Sequence, residues 1–293
     1  MRIVFIGTVQ FSLRALQRLL DSNAEIVGVC TLQESPFNAD HVDLSSVSKE
    51  HKIPWMYAAD INSSESLLWI KEKSPDVIFC FGWSRLLKKD ILKLTPLGVI
   101  GFHPAALPAN RGRHPLIWAL VLGLNKTAST FFFMDECADT GDILSQREVV
   151  IDHEDDAALL YEKVTKTALE QIEVFVPQLA YGTFTRSKQK GDLTNTWRKR
   201  GYADGQIDWR MTANSIHNLV RGLAKPYVGA HIVVDKQEIK VWKTVIIRDN
   251  QRNIEPGKIL GYKNQNPVVK CGEDAICLLS TDPSFEPIIG GYL

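Results

Sequence analysis

Residues 98–123 read GVIGFHPAALPANRGRHPLIWALVLG. The apolar run Leu97–Phe102 delivers one ionisable ring, His103, directly into Pro104. Proline has no N–H for a continuing ladder and pushes the residue before it to extended backbone. The run therefore predicts a strand that stops beside His103. Arg111, Arg113 and His114 follow in the loop, and helical spacing returns over His114–Leu122. Strand, polar loop, helix is the repeating unit of a doubly wound sheet.

The same alternation runs outward in both directions. Arg2–Ile6, Ala24–Leu32, Asp76–Phe81 and Ser129–Met134 read as strands, and Phe11–Leu20 and Leu86–Leu94 as helices. Asp155–Tyr181 is the longest helical pattern, with Asp155 or Asp156 as its cap and Gly182 closing it. The prediction is an α/β fold with a doubly wound, mostly parallel sheet. Functional residues in such sheets collect at the carboxyl ends of strands. Residues 228–282 change style to short strands separated by turn residues, an all-β, barrel-like module. A catalytic domain over 1–200 and a small β domain over 201–293 are expected. Residues 186–200 between them form a basic connector carrying Arg186, Lys188, Lys190, Arg198, Lys199 and Arg200 against Asp192.

Composition narrows the class. Of 293 residues, 45% are hydrophobic and 23% charged, as in ordinary soluble proteins. No apolar run reaches membrane-span length, and the start lacks a signal-peptide pattern. Five cysteines (30, 80, 137, 271, 277) form no CxxC pair, which points to reduced thiols in the cytoplasm. Net charge is zero, and residues 201–293 hold eleven Lys and Arg against ten Asp and Glu. A nucleic-acid arm normally needs a basic excess there, so neither nucleic acid nor membrane is an expected partner.

Four segments compete as sites. FIGTVQFS, residues 5–12, lies between strand and helix but lacks the GxGxxG glycines and a Walker lysine. It reads as a tight turn with Ser12 near the helix start, which disfavours a dinucleotide-dependent dehydrogenase. His103 reads plainly as a strand-end histidine bonded to a carbonyl. A second reading comes from MDECADTGDIL, residues 134–144, which puts Asp135, Glu136, Asp139 and Asp142 after another strand. If the two strands are neighbours, a carboxylate meets the imidazole, an acid–base arrangement. The acidic loop taken alone is an Asp-rich turn, and its spacing is not an EF-hand's. Arg111 and Arg113 are either a solvated loop or, on the same mouth, holders of an anionic group. Trp118 and Trp242 read as core, and Trp197 as a possible stacking residue.

Taken together, FHPAALPANRGRHPLIWAL and MDECADTGDIL resemble the formyltransferases that use 10-formyltetrahydrofolate. Gly7-Thr8, FGWSRLL (81–87), IDW and PYVGA extend the resemblance over nearly the whole chain. It implies His103 as the catalytic histidine and Asp139 as its carboxylate partner. Arg85, Leu86 and Leu87, with Asp135, Cys137, Ala138 and Gly141, would line the folate pocket, and no metal is implied. RGRHPLIWAL and the linker DGQIDW are most similar to the sugar-nucleotide N-formyltransferases of surface-polysaccharide and lipopolysaccharide biosynthesis. That implies a UDP- or dTDP-linked amino-sugar as acceptor, with Thr8, Phe11, Arg111, Arg113, Trp197 and Lys199 around it. A homodimer is compatible with the resemblance. The family's asparagine two residues before the histidine is Gly101 here. Its missing donor is expected to be replaced by a water in the space left, or by Asn110 or Thr130. A tRNA-directed formyltransferase and a non-catalytic binder of folate or sugar nucleotide stay open as other readings.

Overall fold

Strands buried on both faces need continuous apolar runs, and the large sheet shows why they occur here. The computed structural model describes residues 1–35, 38–191 and 194–293, so Asp192 of the connector lies outside the described residues. In chain order come β1 (Arg2–Ile6), α1 (Gln10–Asp21), β2 (Glu25–Thr31), α2 (Ser45–Glu50), β3 (Trp55–Tyr57) and α3 (Ser64–Glu72). Next are β4 (Val77–Cys80), α4 (Lys89–Leu92), β5 (Val99–His103), β6 (Arg111–Gly112), α5 (Pro115–Val121) and β7 (Lys126–Phe133). Then follow β8 (Ile143–Val150), α6 (Ala157–Tyr181), β9 (Thr196–Trp197) and α7 (Ala213–Gly222). The chain ends with β10 (Ala230–Val234), β11 (Gln237–Ile247), β12 (Ile259–Lys263), β13 (Asn266–Lys270) and β14 (Ala275–Asp282).

Two units divide these elements. The first holds 1–115, 127–149 and 162–197, and the second 116–126, 150–161 and 198–293. The first unit's sheet has the order β3-β2-β1-β4-β5-β7-β8. β1 to β5 pair in parallel, whereas β7 runs antiparallel to β5. One face buries Val4, Ile6, Ile78 and Val99 with Ile70 and Ile91. The other is aromatic: Phe131 meets Phe81, Phe102 and Phe175 at ring-centroid distances of 5.2, 4.9 and 4.7 Å. Each such pair adds about 0.5–1.5 kcal/mol to the gain from area burial. Helices α1 and α6 cover this face, linked at their exposed sides by Arg14–Glu162 and Arg18–Glu173.

Turn chemistry sets the β1–α1 junction. Ser12 Oγ accepts from Thr8 N and Val9 N at 3.1 and 3.2 Å and donates to Phe81 O at 2.5 Å. A Cβ on Gly7 would stand 2.5 Å from Ser12 Cβ, so only glycine fits that approach. This is a tight turn, and the glycine serves packing. The longest helix starts after Asp156, whose Oδ1 accepts from Leu159 N at 3.0 Å, and closes at Gly182 with φ +69°.

In the second unit β10-β11-β14-β13-β12 form an antiparallel sheet. Ile216, Leu219 and Val220 of α7 pack with Ile232, Val241, Val269, Ile276 and Leu278 of the strands. Thr212 caps α7 by accepting from Ser215 N at 3.0 Å. No helix of the described residues is long and apolar enough to cross a membrane.

Candidate active site

The pleat of β5 sends Val99, Gly101 and His103 to one face. Val99 lies in the core, and His103 ends the same row with 5% of its surface exposed. Its Nε2 is 2.8 Å from Asn110 O. A carbonyl only accepts, so Nε2 carries a hydrogen and donates it. Nδ1 stands 3.6 Å from Asp139 Oδ2, and that same oxygen accepts from Gly112 N at 2.9 Å. Both nitrogens of one buried ring therefore face oxygen acceptors.

Asp139 reaches His103 by a route that the sequence left open. The two strands are neighbours, as that pairing required, but β7 is antiparallel in the mostly parallel sheet: His103 opposes Thr130 and Ile100 opposes Phe133. The acidic loop thus leaves the sheet beside the far part of β5, with Met134 N bonded to Val99 O at 2.8 Å. It then folds back across the face that Gly101 and His103 share. Met134 covers Gly101, and Asp139 reaches the ring. Gly141 makes the return feasible, since a Cβ there would fall 1.6 Å from Phe133 O. Asn110, Gly112, His114 and Asp139 all have positive φ (64°, 99°, 56° and 59°). Glycine adopts such a φ freely, but for Asn110, His114 and Asp139 the backbone strain costs of order 1–3 kcal/mol per residue, and such strain concentrates at functional sites.

Gly101 corrects an expectation. No gap for a replacement water lies above it: a Cβ there would stand 2.8 Å from Met134 Cγ and 3.0 Å from Phe132 Cζ. Thr130 is not a spare donor either. Its hydroxyl donates to Ala105 O at 2.6 Å and accepts from Gln146 Nε2 at 2.9 Å. Asn110 meets His103 through its backbone carbonyl.

The other expected residues are distributed as follows. Leu87 is buried with Trp83 and Met134 on one apolar cluster, which brings the 81–87 segment to the root of the acidic loop. Trp83 Nε1 is buried there with no hydrogen-bond partner among the described residues. Arg85 donates to Ala59 O, and Leu86 is exposed while its carbonyl accepts from Asn62 Nδ2 at 3.0 Å. Asp135 Oδ1 closes a turn by accepting from Cys137 N and Thr140 Oγ1, leaving Cys137 and Ala138 exposed. Thr8 is buried, its hydroxyl 2.8 Å from His41 Nδ1, and Phe11 packs in the core with its ring centroid 4.1 Å from that of Phe102, the planes tilted by 30°. Arg111 bonds the Gln189 side chain, and exposed Arg113 bonds Trp197 O through its backbone N–H at 3.0 Å. Lys199 is an exposed residue of the second unit, where Trp118 lies beneath Arg198 and Arg200 at 5.3 and 4.6 Å.

The sequence reading missed Gln189 and Asn195. Asn195 Oδ1 accepts from Asn110 N at 2.6 Å. Uncharged amides in a basic stretch carry no pattern, so nothing in the sequence singled them out.

The mixed sheet thus brings a buried histidine at the end of β5 beside a carboxylate, with two arginines on the loop that follows. The chain belongs to the formyl transferase family: residues 1–175 match its formyl transferase domain and 200–287 its C-terminal domain. It is 31% identical to methionyl-tRNA formyltransferase of Caldanaerobacter subterraneus subsp. tengcongensis over 95% of this chain and 91% of that one. Among solved structures it resembles the sugar 3N-formyl transferase WlaRD, determined with dTDP and 5-N-formyl-THF (TM-score 0.72, 17% identity, 95% and 97% of the two chains). A similar match is the N-formyltransferase of Helicobacter canadensis in complex with folinic acid and dTDP-3-aminofucose (TM-score 0.71, 16% identity, 94% and 98%).

Proposed function

We propose that this formyltransferase moves the formyl group of 10-formyltetrahydrofolate to the amine of a nucleotide-linked amino-sugar. The observation that carries the acceptor is charge. Residues 201–293 hold eleven basic against ten acidic side chains, too few to neutralise a polyanion, while Arg111 and Arg113 suit a short diphosphate. The folate side fits the residues present. Trp83 Nε1 is a buried donor with no partner among the described residues, beside apolar Leu87 and Met134, and buried donors are normally satisfied.

In the reaction the amine nitrogen bonds the formyl carbon, and the bond from that carbon to folate N10 breaks. The amine's proton passes to N10. His103 is assigned to carry that proton, and its Nε2–H, bonded to Asn110 O in the free protein, exchanges that carbonyl for the charge growing on the formyl oxygen. Asp139 Oδ2, fixed by Gly112 N–H, faces Nδ1 and stabilises the ring when it is doubly protonated. Arg111 and Arg113 hold the acceptor so that its amine attacks within one complex.

A second reading, formylation of charged methionyl-tRNA, is favoured by the 31% identity to a methionyl-tRNA formyltransferase. One screen separates the two. The enzyme is incubated with 10-formyltetrahydrofolate and UDP- or dTDP-linked amino-sugars, with methionyl-tRNA in parallel. Formylated nucleotide sugar is the expected product. Formyl-methionyl-tRNA alone would replace the proposal with the second reading.

A further inference from the structure

The connector does more than join two units. Its residue 187 pairs with the start of β8: Ser187 and Ile143 exchange backbone bonds of 2.9 and 2.8 Å. Its residues 195–197 run beside the arginine loop, with Arg111 N bonded to Asn195 O at 3.2 Å and Arg113 N to Trp197 O at 3.0 Å. Between these anchors stands Gln189. Its Oε1 accepts from Arg111 Nε and NH2 at 3.2 and 2.5 Å. Its Nε2 donates to Asp139 O at 2.9 Å and Gly141 O at 2.7 Å. Both donors and the acceptor of one amide are thus committed to the two loops that flank His103.

We infer that Gln189 is a positioning residue for formyl transfer, locking Asp139 against His103 and coupling that carboxylate's loop to Arg111. The inference deepens the proposed function and rests on it. Asp139 sits at φ +59°, a conformation it keeps only while its surroundings hold it. Two bonds from Gln189 hold the carbonyl of that strained residue itself and the carbonyl two residues further on. Without them the loop relaxes, and the 3.6 Å separation from Nδ1 is no longer set. Misplacement by about 1 Å in a reacting constellation costs about 10²-fold in rate. Because the same amide grips Arg111, acceptor binding and carboxylate placement share one side chain.

Two variants separate the two arms. Gln189→Glu keeps an acceptor for Arg111 but offers no donor to Asp139 O or Gly141 O. Gln189→Met fills similar volume with neither. With an acceptor found in the screen, Gln189→Glu is expected to lower kcat about 10- to 100-fold with acceptor KM within about threefold. Gln189→Met is expected to lower kcat and raise KM together. A second readout needs no acceptor: the ring resonances of His103 in the free protein, by ¹H–¹⁵N correlation. They should move in both variants and stay in place in Lys188→Glu, a change at an exposed neighbour. Unmoved His103 resonances in folded Gln189→Glu and Gln189→Met, or wild-type kcat in Gln189→Glu, would overturn the inference. Should no nucleotide sugar prove a substrate, the resonance experiment still decides it, so the two failures are distinguishable.

Discussion

Met134 occupies the place that a side chain at Gly101 would need, its Cγ 2.8 Å from where a Cβ would stand. This packing explains how the chain dispenses with a side chain two residues before His103. Methionine is flexible, yet Phe132 Cζ crowds the same spot at 3.0 Å. Gly101→Asn is therefore expected to destabilise by about 1–3 kcal/mol through overpacking and to lower turnover. Adding Met134→Ala should restore part of the lost melting temperature. A stable single variant with raised turnover would mean that the space is open after all.

Gly112 makes a sharper case. Its φ of +99° and the Trp197 carbonyl 2.3 Å from a built Cβ leave no room for alanine. Gly112→Ala should detach Asp139 Oδ2 from its backbone donor and cut turnover strongly. Gly98→Ala is the comparison, since Gly98 also has positive φ (+79°) but nothing within 4 Å. It should cost about 1–2 kcal/mol of stability and leave turnover nearly intact. Equal losses of turnover in melting-matched samples would assign Gly112 to general backbone strain.

Thiol chemistry can map the acidic loop. Cys137 is exposed, whereas Cys30, Cys80, Cys271 and Cys277 are buried. Burial pushes the Cys80 and Cys271 thiols up to about 12 and Cys30 higher still. Since the thiolate is the nucleophile, iodoacetamide should modify Cys137 first, read by peptide mass spectrometry. A folate ligand seated against the 135–141 loop should slow that labelling. Undiminished labelling at saturating folate would take Cys137 out of the proposed pocket.

The second unit should lose stability in mild acid. Burial, with Arg221 and His153 nearby, holds the His217 imidazole below its ordinary value. Burial does the same to His231. The unfolded chain then binds more protons than the folded one, so stability is full above the unfolded pKa of about 6.5. It falls as pH drops through the lowered folded values. Melting temperature should decline from pH 7.5 to pH 5, and less steeply in His217→Gln. An unchanged slope in that variant would remove His217 from the acid response.

How far the sequence carried can be judged residue by residue. Arg2–Ile6 and the C-terminal strands were legible because apolar or alternating runs flanked by turn residues have few other uses. The pattern over 86–94 shrank to Lys89–Leu92, since the backbone of Leu86 and Lys88 instead bonds the Asn62 side chain. Strand β8 was missed because its burial is mostly partial or exposed, leaving no apolar run. His103 and Asp139 were legible as a pair, but not the route by which they meet. Strand direction depends on pairing, and periodicity along one strand says nothing about it. Gln189 and Asn195 act through neutral amides aimed at backbone, which no residue pattern encodes.

The proton-carrying role proposed for His103 is open to a direct measurement. The measurement is single-turnover formyl transfer from 10-formyltetrahydrofolate by wild type and by His103→Ala, each at matched folded fraction by circular dichroism. Removing a group that carries the proton is expected to slow transfer by about 10²–10⁴. The variant loses the Nε2 bond to Asn110 O, about 1 kcal/mol, and leaves a cavity where a buried ring stood, which is why the folded fractions are matched. A folded His103→Ala protein that transfers formyl at the wild-type rate would contradict the account.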